Sequence, residues 1–500
     1  MKKILGIFLI SLLAACGGDD DGLTAAENTA GTSGGAGSSE AGVENGAQPG
    51  DPAEQARFLA DSYQSGLDEI ALAEVATEQA TDDNTRQLAQ RLLTHHRYLN
   101  QQIQALATQQ GATLPDAPSA EATQALQTLS GLSGPAFDRA YATQEATRHQ
   151  QMVVSYGERA EASTSASASS STDASDGTQA ESDVQTFASN ALPALQLHLQ
   201  AATALSGALD PAAFLTNLYQ QGLAEIALSQ LALDRSDNAE VQAFAQRMID
   251  DHTAANQQIA TQAQANAVPL PDEPNPAQQA LAEDLAALSG VDFDKAYMNH
   301  NVLGHEVAVA QAEAQAAEGV DAGVAALAAT LEPTLRMHRE QAQTLYEQIE
   351  PTPLFASLDT GIGQVLLSQL ALQLSGDDDV RQLADRLFTE YSAANEQARQ
   401  VARQNDRGVP PEPSVEAATG YVALAQLSAD AFDSQFLERN TEILEAAAQM
   451  LGTAQDDVAA AQARIDALLP TLRAQLDAAN QLLQQSASQP ATEQPAAAPQ

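Results

Sequence analysis

The chain has 500 residues, with 22 Lys and Arg against 66 Asp and Glu, a formal net charge of −44, one Cys and no Trp. That balance excludes a nucleic-acid partner, because phosphate neutralisation needs clustered Lys and Arg. One Cys excludes an internal disulfide and any Cys-rich metal cluster. An apolar fraction of 44 % with only 4 % aromatic residues is enough for real cores and favours helix over sheet.

Lys2 and Lys3 precede an apolar run from Ile4 to Leu13, which ends in Leu13-Ala14-Ala15-Cys16. The run is too short to span a bilayer and reads as the core of a signal peptide covering 1–15. Its last four residues resemble a bacterial lipobox, which implies cleavage before Cys16 and a lipid on Cys16 as membrane anchor. Gly17 rather than Asp follows. By analogy with Gram-negative lipoproteins, this points to the outer membrane, facing the periplasm. Residues 16–52 are rich in Gly, Ser, Ala, Asp and Glu and read as a flexible tether, and 486–500 read as a disordered tail.

Between tether and tail one unit occurs three times. Gly66, Gly222 and Gly361 open similar apolar stretches. Arg91, Arg247 and Arg386 are each followed nine residues later by Asn100, Asn256 and Asn395. The pairs Phe137-Asp138, Phe293-Asp294 and Phe432-Asp433 come next, then Pro193, Pro333 and Pro470. A period this long is domain-sized rather than that of a solenoid. The units are 53–207, 210–350 and 351–485, the first carrying a Ser-rich insertion over 163–183 that is expected to be a mobile loop.

Each unit reads as helices. In the second, Asp210 and Pro211 cap a first helix that keeps an apolar face to about Leu233. Ser236 or Asp237 is expected to cap the next, and the prolines over 269–276 end it. A short helix over 278–288 follows, then long helices from about Phe293 and from about Val320 to Gln348, the last expected to kink at Pro333. No segment alternates as a strand does. The expected fold class is all-α: three tandem four-helix bundles, each with a crossover and short helix between its second and third long helices.

Six of eight His recur in register: His96 with His252, His149 with His305, and His198 with His338. Glu69 and Glu225 lie 27 residues before the first His of each set. Each of the first two bundles thus places one Glu and three His on four different helices, a set able to hold one divalent transition metal, with Zn, Fe, Mn and Cu not distinguished. The third copy keeps the spacing and loses all four groups together, carrying Gln364, Tyr391, Leu444 and Gln475 instead. Joint loss is expected of a shared site; four independent packing residues give no reason for it. His95 and His300 have no repeat partner and read as solvated or outer-shell residues. Tyr297 reads as a core residue or as an outer-shell donor.

The stretches Gly222–Ala232, Phe244–His252, Phe293–Tyr297 with His305, and Pro333–Leu335 with His338 together resemble the ferritin-like family catalogued as domain of unknown function 4142. The resemblance implies a ferritin-like bundle for each unit and no established activity. Glu-x-x-His, which di-iron members of that fold class use on two helices, is absent, and Glu145 precedes His149 by four residues. One metal in each of the first two bundles is therefore expected. Three functions remain open: a metal-handling or metal-stabilised envelope lipoprotein, a non-catalytic scaffold with structural His, and a metal-dependent enzyme of unknown substrate. The third bundle, lacking the ligands, is a candidate surface for an envelope protein partner.

Overall fold

The computed structural model describes residues 52–162, 174–453, 455–456 and 459–488. The signal, Cys16, nearly all of the tether, part of the insertion and most of the tail lie outside them. Among the described residues there are fifteen helices and no strand. Bundle 1 is built from α1 (Pro52–Gln79), α2 (Asp83–Gln110), α4 (Pro135–Glu161) and α5 (Ala174–Leu209), with short α3 (Ala120–Ser130) in the crossover. Bundle 2 repeats this with α6 (Pro211–Arg235), α7 (Ala239–Ala265), α8 (Pro276–Ala286), α9 (Gly290–Glu318) and α10 (Ala322–Gln348). Bundle 3 does so with α11 (Pro353–Leu374), α12 (Asp378–Gln404), α13 (Val415–Ala425), α14 (Ala429–Thr453) and α15 (Ala459–Ser488). No described helix is long and apolar enough to cross a membrane.

Helix ends follow capping chemistry, with two shifts from the sequence reading. Asp210 caps α6, its carboxylate accepting from Ala212 N–H ahead of Pro211, as expected. Ser236 instead closes α6, donating its N–H to Ala232; the cap of α7 is Asn238, which accepts from Glu240 N–H. Asn275 and Gln278 form a reciprocal capping box at α8. The helix α5 begins at Ala174, so 174–183 of the insertion are helical rather than loop. In α10 the helix runs through Pro333 to Gln348.

The recurring Gly and Asn are two halves of one contact. A Cβ on Gly66, Gly222 or Gly361 would lie 2.0, 2.3 or 1.9 Å from the side-chain oxygen of Asn100, Asn256 or Asn395. Only a glycine lets the first two helices of each bundle approach that closely. The recurring Phe begins a stacked ring pair: Phe137 on Tyr141, Phe293 on Tyr297 and Phe432 on Phe436, with centroids 6.3, 6.0 and 6.0 Å apart.

The cores differ in one respect that places the site. In bundle 1 the apolar core divides into a cluster around Leu72, Leu92 and Phe137 and another around Leu59, Leu99 and Tyr156. Bundle 2 divides likewise, around Phe244 and Tyr297 and around Phe214 and Ile259. The buried His and Glu lie between. In bundle 3, Tyr391 and Leu444 stand where the other copies have His, and both belong to its main apolar cluster. Bundle 3 docks on the other two. Leu197 of bundle 1 and Leu303 of bundle 2 join that cluster, and Asn299 donates to the Pro413 carbonyl and accepts from Val415 N–H.

Candidate metal centres

Three helices bring His96 (α2), His149 (α4) and His198 (α5) together, and three bring His252 (α7), His305 (α9) and His338 (α10) together. In each triad one ring nitrogen per residue lies within 4.8 Å of the others. Ring centroids are 5.4–6.0 Å apart in bundle 1 and 5.3–5.5 Å apart in bundle 2. All six rings are buried.

The backbone fixes which nitrogens are free. His305 Nδ1 lies 2.7 Å from the Asn301 carbonyl, which can only accept, so that nitrogen carries the proton and Nε2 keeps its lone pair. His149 Nδ1 makes the same bond to Glu145 O at 2.9 Å. His338 Nε2 donates to the Asp251 carboxylate at 2.9 Å, leaving Nδ1 bare. In bundle 2, His252 Nε2, His305 Nε2 and His338 Nδ1 all lack a hydrogen-bond partner. Three unpartnered ring nitrogens, two of them on rings held from behind by a carbonyl or carboxylate, are the arrangement by which proteins orient metal-ligating imidazoles.

Burial, and then the neighbouring His338, push His252 down to about 3. Burial, and then His252 and His338, hold His305 well below its usual value. These two rings are therefore neutral at pH 7 and need lose no proton to bind a metal. In bundle 1 the Nε2 atoms of His96 and His149 are 3.4 Å apart. A tetrahedral metal with bonds of ~2.0–2.1 Å spaces its ligand nitrogens by roughly 3.3–3.4 Å, so this pair already has the spacing of two such ligands.

The two glutamates behave differently from their triads. In bundle 1, Glu69, Glu145 and His149 form a second group whose ligand atoms lie within 4.8 Å of one another. In bundle 2, Glu225 lies 3.7 Å from His300, whose other nitrogen is 3.0 Å from Glu412 of bundle 3. Burial alone would lower the His300 pKa; the Glu412 carboxylate first, and Glu225 after it, raise it to about 9. His300 is thus a charged clamp on Glu225.

His95 is buried rather than solvated, with its ring edge-on to His198 at 4.7 Å. It stands where bundle 2 has Asp251. The outer partner of His198 comes instead from bundle 3: its Nε2 is 3.3 Å from the Tyr421 hydroxyl, and its Nδ1 is unpartnered. Tyr297 is a core residue whose hydroxyl meets Ser229 at 2.7 Å. In bundle 3, Gln475 hydrogen-bonds Glu390, a metal-free counterpart of the His338–Asp251 pair.

In the sequence, Glu145 has no assigned role, His300 reads only as solvated or outer-shell, and Tyr421 does not stand out. Glu145 carried a signal, an acid one helical turn before a candidate ligand that becomes Asn301 in copy two and Asn440 in copy three. Tyr421 carried none.

Beside His252 and His338 lies a cavity of about 20 Å³, lined also by Gln221, Asp251 and Thr334 and by apolar residues such as Leu218, Ile259 and Leu335. That is room for about one water. No curated protein and no solved structure matches the chain. A family model does, over residues 41–205, 202–345 and 355–482. Those spans cover most of the chain and follow the three bundles, so the chain belongs to the family described as domain of unknown function (DUF4142), in three tandem copies.

Proposed function

We propose that bundles 1 and 2 each hold one divalent transition metal on three imidazoles, and that the chain handles or buffers metal at the cell envelope, tethered through a lipid on Cys16. The observation that carries this reading is the set of three buried, partnerless ring nitrogens in bundle 2, with the same three-histidine cluster recurring in bundle 1. Leaving such groups unpaired costs about 1–3 kcal/mol each, and a metal removes that cost. Neutral imidazole suits Zn, Cu, Fe or Ni better than Mg or Ca. A water-sized space beside the second triad fits a solvent molecule as fourth ligand and favours a holding role over turnover of an organic substrate.

Elemental analysis of the full chain, purified in metal-supplemented buffer, tests the reading. His96→Ala together with His252→Ala is expected to remove two metal equivalents per chain. Unchanged metal content, or none in the parent, overturns it.

A further inference from the structure

Bundle 1 contains a second polar cluster, and the differences between bundles 1 and 2 say what it lacks. Glu69 and Glu145 are fully buried and come from different helices, and none of their four oxygens receives a hydrogen bond. Arg148 is the nearby cation, with Nε 3.9 Å from Glu69, but its Nη1 also lies 3.6 Å from Asp68. One guanidinium therefore faces three carboxylates. The Tyr141 hydroxyl, one turn before Glu145, is also buried without a partner, and after burial itself the charges of Glu145 and Glu69 are what act on it most. The cluster thus has five unpartnered oxygens, and the His149 nitrogen nearest the carboxylates is Nδ1, which lies 3.7 Å from Glu145 Oε2 and gives its proton to the Glu145 carbonyl.

Bundle 2 answers most of these demands with a protein group, although neither Glu225 oxygen receives a hydrogen bond there. Glu145 is replaced by Asn301, which carries no charge and donates to the Tyr297 carbonyl. Ala73 is replaced by Ser229, which satisfies the tyrosine hydroxyl. Gln144 is replaced by His300, which reaches Glu225. Arg148 is replaced by Gly304, where a Cβ would lie 3.5 Å from Glu225. Four changes converge on the same few ångströms, and they leave one buried carboxylate in place of two, with an imidazole 3.7 Å from it.

We infer that Glu69 and Glu145 of bundle 1 form a second cation position beside the His96–His149–His198 triad, taking a divalent metal on carboxylate oxygens. Bundle 1 is then a two-metal bundle and bundle 2 a one-metal bundle. This rests on the triad reading above, because both positions lie against His149. A divalent ion suits the cluster since two carboxylates remain after Arg148 is set against Asp68.

Zn(II) stoichiometry on the full chain separates the two claims. With bundle 2 disabled by His252→Ala and His338→Ala, two equivalents are expected. Adding Glu145→Asn, the residue bundle 2 uses, or the isosteric Glu145→Gln, is expected to leave one. A count of one that neither substitution changes, with a protonated-carboxyl infrared band that Glu145→Asn abolishes, shows a shared proton in place of the metal and overturns the second position while the triad stands. A count of zero before Glu145 is touched overturns the triad reading and this inference with it.

Discussion

Bundles 1 and 2 carry the same three histidines on matching helices, yet they neutralise the buried glutamate of their first helix in different ways. Bundle 2 does so with a protein cation, since His300 sits 3.7 Å from Glu225 and is itself held by Glu412. Bundle 1 puts a second acid, Glu145, beside Glu69 and adds only a shared arginine. Burying a charge is tolerable only when something compensates it. The same ligand triad is therefore compatible with two electrostatic surroundings, and those surroundings separate the two bundles more sharply than the triad does. Bundle 3 is the limit of the series: Tyr391 and Leu444 stand in place of His within its main apolar cluster, while Gln364 and Asn440 remain as buried neutral amides.

The largest effect is expected where bundle 2 loses its internal cation. His300→Gln, which copies bundle 1 at position 144, leaves Glu225 buried and unpaired. Breaking a buried pair from one side costs about 3–5 kcal/mol. The sign with pH follows from the direction of the shift. The His300 pKa is raised from 6.5 to about 9, so its contribution is complete below about 6.5 and is lost as pH rises through about 9. Urea unfolding of the full chain between pH 6 and 10 should show the gap between parent and variant closing along that span. A gap independent of pH would break the comparison.

Next in size is the outer partner of each triad. His338 is backed by Asp251 of its own bundle, whereas His198 is backed by Tyr421 of bundle 3, so the copy without ligands completes the site of a copy that has them. Removing such an outer partner typically costs 10–100-fold in metal affinity. Tyr421→Phe is expected to weaken metal binding in bundle 1 by that factor and to leave bundle 2, measured in the same chain, unchanged. Equal weakening in both bundles would point to general loosening instead of positioning.

These contrasts were unevenly legible in the sequence. The helices, the three copies and the two triads follow from local periodicity and register, since a His on the inner face of each of three helices meets the others once the bundle closes. Glu145 does not fit Glu-x-x-His, yet residues four apart share a helix face as well as residues three apart do. Its partner Glu69 lies on another helix, and only packing sets that distance. His95 offered no sign of burial beyond its position next to a ligand. Tyr421 was beyond sequence reasoning altogether, because the separation of 223 positions from His198 is bridged by bundle docking, which leaves no periodic trace. The Gly–Asn contact is the reverse case: both residues stood out as markers, but nothing in the spacing said that they touch.

The smallest expected effect isolates one hydrogen bond. Tyr297 and Tyr141 occupy the same place in their bundles, both buried and both stacked on the recurring Phe. Only Tyr297 has a hydroxyl partner, Ser229, because bundle 1 carries Ala73 there. Ser229→Ala makes bundle 2 resemble bundle 1 at this point and leaves a buried hydroxyl unsatisfied, at a cost of about 1 kcal/mol. For a bundle of this size that is roughly 2–4 °C in melting temperature. If the tyrosine hydroxyl in bundle 1 faces a cation rather than a hydrogen-bond partner, metal removal should lower stability in both parent and variant without changing the Ser229 difference, since that bond lies in the other bundle. Calorimetry of parent and Ser229→Ala, each with and without chelator, reads the four values needed, and a difference that depends on metal would tie Tyr297 to its own triad instead.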